Sequence, residues 1–182
     1  ELFAERGYRQ AGVQQIIDHL GLSKGGFYWH FSSKEDLYCQ VCKTHCERCR
    51  AAFMEILGRG SIELPMIQKA ARDLLDWFIS NPREIRLMLD FYHESQSEAV
   101  RRELLNLGEE WMRILTTLIA RCQKDGVVHN PAGPEVLARV CLIFFRGLLF
   151  DFGIDGNRET VMRDWEFFLM GLLGNERQGV TA

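Results

Sequence analysis

Apolar residues recur at three- and four-residue spacing along almost the whole chain, and no segment replaces that spacing with a sustained alternation rich in β-branched residues. This is the period of helices that each bury one face, so the pattern predicts an all-α protein. Helices are expected over residues 1–6, 13–20, 24–30, 34–58, 62–80, 82–94, 97–124, 134–152 and 158–173, about nine in total. Proline and glycine punctuate the same boundaries. Asn81-Pro82 separates two helical stretches, Asp125-Gly126 closes the longest, and Gly133-Pro134 opens the next with proline at its first position. Pro65 fits the first turn of the fifth helix. The first helix starts abruptly, with Leu2 and Phe3 already apolar, so further residues are expected upstream of Glu1.

One stretch has a more specific pattern. Residues 7–37 read GYRQAGVQQIIDHLGLSKGGFYWHFSSKEDL. Val13, Ile16, Ile17 and Leu20 make one apolar face, Gly21 permits a sharp turn, Leu22 fills the corner, and Ser23 is suited to cap the next helix. Phe27 and Phe31, four apart, anchor that second helix to the same core. Ser32-x-x-Glu35 has the form of a capping box for the helix that follows. Residues 12–31 thus form a helix-turn-helix, with Lys24, Gly25, Gly26, Tyr28, Trp29 and His30 left to face away from the core and, together with Ser23 and Lys34, expected to bind DNA. Lys24 and Lys34 can neutralise phosphates, Tyr28 and His30 can donate to phosphate oxygens, and the bare first turn brings backbone N–H groups close.

Phe3, Gly7-Tyr8, Val13, Ile16, Gly21-Leu22-Ser23-Lys24-Gly25, Tyr28, His30-Phe31, Ser33-Lys34-Glu35 and Leu37 stand at the spacings of a known family. Over these first 37 residues the chain resembles the DNA-binding domain of the tetracycline-repressor (TetR) family of bacterial transcription regulators. Residues 38–182 resemble that family in helix count and length alone. Two places depart from the family pattern: Ala11-Gly12 stands where hydroxyl residues are common, and Gly26 where Thr or Ser is. Each departure removes a side-chain cap or phosphate contact. The resemblance implies a DNA-binding domain over residues 1–45, followed by a helical domain over residues 46–182 that pairs two chains and encloses a small-molecule effector. It also implies repression through an inverted-repeat operator in double-stranded DNA.

The apolar pattern supplies candidates for both tasks of the larger region. Residues 134–152 are apolar on nearly all sides and residues 158–173 carry a stripe. Val140, Phe144, Leu148, Phe152, Val161, Trp165, Phe168, Leu169 and Leu172 are therefore expected at a homodimer interface, with an intramolecular core as the alternative. For the effector, aromatic residues on the middle helices indicate an apolar or aromatic ligand: Trp77, Phe78, Met88, Phe91, Tyr92, Trp111, Leu115 and Phe145, with His93, Glu94 or Arg121 as polar handles.

Composition narrows the classes. The chain has 182 residues, 47% hydrophobic and 26% charged, with a net charge of -3. Residues 1–50 hold seven basic residues against six acidic ones, so no polycationic arm lies within them. No apolar run approaches the ~20 residues of a membrane span, and no leader pattern stands at the N-terminus, so a cytoplasmic location is expected. No Gly-x-Ser-x-Gly elbow or phosphate loop is present, and His93-Glu94 is followed by Ser95-Gln96-Ser97 without a second histidine, so an enzyme is not expected. No cofactor is expected either. A helical interaction protein without DNA binding remains as a further class.

CQVCKTHCERC, residues 39–49, raises one more alternative, a thiol- or metal-responsive regulator. At helical spacing Cys39, Cys42, Cys46 and Cys49 fall in an arc of about 80°, continued by Phe53 and Ile56. They are spread over a rise of about 15 Å, so one helix cannot bring four sulfurs to a single zinc. The stripe is read as packing, with a smaller site at one cysteine pair and His45 as the alternative.

Overall fold

The computed structural model describes residues 1–57 and 63–173. Among them are nine helices and no strand: α1 (Leu2–Gln10), α2 (Val13–Leu20), α3 (Lys24–His30), α4 (Lys34–Leu57), α5 (Leu64–Ser80), α6 (Pro82–His93), α7 (Glu98–Lys124), α8 (Pro134–Asp155) and α9 (Arg158–Leu173). The expected helix boundaries at 58 and 62, and the side chain of Ile56, lie outside the described residues.

Most boundaries follow local chemistry. Gly21, at φ +65°, closes α2 with a Schellman arrangement, Leu22 N–H donating to Ile17 O and Gly21 N–H to Asp18 O. Asn81 and Gly133 precede helices that open with proline. One helix is interrupted and another runs further than expected. α1 breaks at Gly7 (φ +74°), next to its expected end at residue 6, and resumes for a short turn to Gln10; the Tyr8 N–H that follows the break donates to Asp90 Oδ2 at 3.0 Å. α8 carries on past Phe152 until Gly156, at φ +67°, ends it with its N–H on Phe152 O.

The chain forms two compact units, each from two stretches, whereas the sequence suggests one cut near residue 45. Unit 1 comprises Glu1–Arg50 and Asn81–Gly108; unit 2 comprises Ala51–Ser80 and Glu109–Ala182. Unit 1 therefore adds α6 and the start of α7 to the helix-turn-helix. Its core is Phe3, Ala11, Ile16, Ile17, Phe27, Tyr38, Cys42, Leu87, Phe91 and Val100. Each fully buried large side chain of this set contributes about 1.5–3 kcal/mol of transfer free energy.

Unit 2 packs α5 against α8 and α9. Leu75 and Leu149 are fully buried, and Trp165, 2% exposed, donates its indole N–H to Ala71 O at 2.9 Å. Phe144 and Phe168 stack at 4.2 Å between ring centres, and Phe168 and Trp165 at 5.5 Å. Ion pairs Arg158–Asp76 and Arg72–Glu166 tie α9 to α5.

Candidate nucleic-acid interface

The head of unit 1 is organised by its caps. Ser23 Oγ accepts the Gly26 N–H at 3.0 Å and starts α3. Gly26 suits this cap, since a Cβ there would lie 3.3 Å from Ser23 Oγ. At α2 the missing hydroxyl is replaced from inside the helix: Gln15 Oε1 accepts the Gly12 N–H at 3.2 Å. The box that opens α4 is displaced by one residue from the expected Ser32/Glu35 pair. Asp36 N–H donates to Ser33 Oγ at 3.0 Å, and Asp36 Oδ2 accepts from the N–H and hydroxyl of Ser32. Those bonds from Ser32 hold the Asp36 carboxyl below its ordinary range. Glu35 instead accepts a hydrogen bond from the Ser97 hydroxyl.

With Phe27 fully buried beneath it, α3 turns the rest of its surface outward. Ser23, Lys24, Gly25, Tyr28, Trp29 and His30 are exposed and Gly26 is half-buried. Trp29 is 82% exposed and Tyr28 49%. The Tyr28 ring stands edge-on to Phe27, and Trp29 edge-on to His30 at 4.6 Å. An indole left almost bare on a seven-residue helix is costly as packing and useful as a contact surface. Lys34 behaves differently. It is half-buried, and its ammonium donates to Tyr8 O and Ala11 O.

Sequence reasoning missed the residue that holds this head together. Asp90, on α6, accepts both the Tyr8 N–H and the Tyr38 hydroxyl, the latter at 2.6 Å. Tyr38 is fully buried among Phe3, Tyr8 and Phe91. Burial and the Asp90 carboxylate hold its hydroxyl protonated, far above the ordinary tyrosine range. Gly7 fits tightly beside the same carboxylate, for a Cβ there would stand 3.1 Å from Asp90 Oδ1. The Gly7-Tyr8 pair was the signal for this contact, but its partner is 82 residues away.

The cysteine stripe does pack along one face of α4. Cys42 is fully buried and Cys49 nearly so, while Cys39 and Cys46 are half-buried. Burial raises the Cys42 and Cys49 thiols far above their ordinary value, which disfavours the reactive thiolate. Cys49 Sγ lies 3.7 Å from His45 Nε2, and His45 Nδ1 lies 2.5 Å from Glu84 Oε2, whose other oxygen meets Arg48 at 2.8 Å. Among the described residues no three or more His, Cys, Asp or Glu side chains gather as a metal site.

The effector candidates are divided between the units. Phe91 belongs to the core of unit 1, 1% exposed, with its ring 5.0 Å from Tyr38 and 5.7 Å from His45. Met88 and Tyr92 lie in the same unit, the first half-buried and the second exposed. Trp77, Phe78, Trp111, Leu115 and Phe145 lie in unit 2, where Phe78 stands edge-on to both Trp77 and Phe145. Of the polar handles, Glu94 is buried and accepts from Arg9 and His93, and Arg121 pairs with Asp125.

The expected interface residues also divide. Leu148, Val161, Trp165, Leu169 and Leu172 are buried by the chain's own helices, Phe144, Phe152 and Phe168 are half-buried, and Val140 is exposed. Left uncovered on α8 are Val136, Val140, Ile143, Phe150 and Ile154, and on α9 Phe167 and Met170.

A packed three-helix head that leaves a lysine, a tyrosine, an indole and an imidazole uncovered on its third helix defines a helix-turn-helix DNA-binding protein. The chain belongs to the tetR family of bacterial regulatory proteins: residues 1–41 match that family, and residues 65–166 match the C-terminal region of BetI-type transcriptional repressors. It is a DNA-binding transcription regulator. DhaR, an HTH-type transcriptional repressor of a Mycobacterium species, is 27% identical over 163 residues, covering 88% of this chain and 81% of that one. FasR, an HTH-type transcriptional activator of Mycolicibacterium smegmatis, is 31% identical over 101 residues, 54% of this chain and 46% of its own. The fold is also that of the fatty acid degradation regulator FadR from Bacillus halodurans, with a TM-score of 0.79 at 14% identity, covering 97% and 94% of the two chains. Among the described residues no helix is long and apolar enough to cross a membrane.

Proposed function

We propose that the protein is a cytoplasmic repressor that binds an inverted-repeat operator as a homodimer and is released by a small, largely apolar or aromatic effector. The observation that carries this reading is α3, a short helix capped by Ser23 and anchored by Phe27, with Lys24, Tyr28, Trp29 and His30 facing outward. Lys24 meets the phosphate backbone, while the Tyr28 and Trp29 rings supply groove contacts. Two heads related by a twofold axis then read half-sites about 34 Å apart.

The exposed stripe supports the pairing. Val136, Val140, Ile143, Phe150 and Ile154 repeat at four- and three-residue intervals around Gly147, and Phe167 and Met170 extend the apolar surface onto α9. Such a surface is suited to close against its own copy as a four-helix interface. Within unit 2 the candidate effector residues are Phe78, with the Trp77 and Phe145 rings edge-on to it, and Trp111 and Leu115 on α7; Met88, Phe91 and Tyr92 are assigned to the head instead. An effector that favours one arrangement of the dimer lowers DNA affinity by its differential binding, and the coupling is reciprocal.

The test is a thermal-shift screen of small apolar and aromatic compounds, with DNA binding measured for each stabilising compound. Release from DNA by at least one is expected. Stabilising compounds that all leave DNA affinity unchanged would contradict the induction mechanism.

A further inference from the structure

Lys34 is the first residue of α4, and by sequence pattern it is a phosphate contact. Its ammonium is already engaged inside unit 1. Nζ donates to Tyr8 O at 2.7 Å and to Ala11 O at 3.1 Å, and it stands 4.2 Å from the centre of the Tyr8 ring. Both carbonyls belong to the end of α1, where the last turn lacks intrahelical donors and a cation is favoured. An ammonium has three N–H donors, and two of them are used here. The Tyr8 peptide is gripped from its other side too, its N–H donating to Asp90 Oδ2.

α2 and α3 occupy the chain between Ala11 and Lys34, so the Ala11–Lys34 bond ties together the two ends of the helix-turn-helix segment. We infer that Lys34 is a positioning residue for DNA binding and not one of the phosphate contacts: its ammonium fastens the end of α1 to the start of α4 and so fixes the attitude of α3. The inference rests on the DNA-reading function proposed above.

Salt dependence separates the two roles. Each lost phosphate contact flattens the plot of log affinity against log salt by about 0.9, hence by about 1.8 for a dimer. The full-length chain is used to select a duplex from a random pool, and affinities of Lys34→Met, Lys34→Gln and Lys24→Ala for that duplex are measured from about 50 to about 200 mM salt. Thermal unfolding is followed in parallel. Lys24→Ala is expected to flatten the slope. Lys34→Met is expected to lose about tenfold in affinity at an unchanged slope, and Lys34→Gln, neutral but able to donate to one carbonyl, to recover part of that loss. A slope flattened by both Lys34 variants would make Lys34 a phosphate contact, and a lowered melting temperature with unchanged affinity would make it merely structural. Either result overturns the inference. If the methionine variant does not fold, the slope and affinity of Lys34→Gln decide alone. A wild-type chain that enriches no duplex overturns the DNA-reading function itself, whereas failure confined to the Lys34 variants overturns this inference only.

Discussion

Removing one oxygen from Tyr38 tests whether Asp90 holds the head together. In Tyr38→Phe the ring keeps its place, 4.5 Å from Tyr8 and 5.0 Å from both Phe3 and Phe91, so the only loss is the 2.6 Å hydrogen bond to Asp90 Oδ2. A buried hydrogen bond to a carboxylate contributes about 1.5–3 kcal/mol. Asp90→Ala deletes that bond and the one from Tyr8 N–H, and strands a fully buried hydroxyl, so about 3–5 kcal/mol is expected. The double variant should cost less than the sum of the two single ones, by about 1.5–3 kcal/mol, because both remove the same bond. Amide hydrogen exchange at Ile17 and Phe27 reads the opening free energy of unit 1 directly, without assuming that the two units unfold together. A coupling below about 0.5 kcal/mol, or a Tyr38→Phe protein as stable as the parent, would refute the reasoning.

Ser23→Ala removes the acceptor for Gly26 N–H and should cost about 1 kcal/mol in unit 1, read by the same exchange; an unchanged value would mean that α3 is not held by this cap. Ile143→Glu places a charge in the exposed α8 stripe, and sedimentation is expected to show a dimeric parent and a monomeric variant; a variant dimer persisting at unchanged affinity would move the interface elsewhere. The Glu84 carboxyl is pushed up by burial, but hydrogen bonding to His45 and the charges of His45 and Arg48 outweigh this and leave it below its ordinary 4.5. A carboxyl lowered in the folded state contributes stability above its unfolded value that is lost as pH falls through the folded one. Glu84→Gln should therefore be less stable at neutral pH and lose stability less steeply than the parent below pH 4.5. Parallel acid profiles for the two proteins would remove Glu84 from the account.

The parts of the fold legible in the sequence are those set by neighbours in the chain. α2 and α3 begin and end where Gly21, Ser23 and the apolar spacing place them, since a turn glycine and a cap act within four residues. Residues that depend on distant partners were not legible. α1 breaks at Gly7 and resumes beyond it, and the Tyr8 N–H at that break goes to Asp90, on α6. Lys34 has the spacing of a phosphate contact, but nothing local shows that the end of α1 will present two carbonyls to it. α8 fails to reveal its exposed face for a different reason: it is apolar all round, so period alone cannot separate Leu148 and Leu149, buried by the chain, from Ile143 and Phe150, left bare. Phe91 shows the same ambiguity, since an aromatic residue on an amphipathic helix suits a core as well as a pocket.

The measurement that tests the account most directly is selection of binding sites by the full-length protein from a random duplex pool, repeated with Trp29→Ala. The account predicts an inverted repeat with half-sites about one helical turn apart, and a changed or weakened half-site preference once Trp29 is gone. No enriched sequence, or a consensus indifferent to Trp29 and without twofold symmetry, would contradict it.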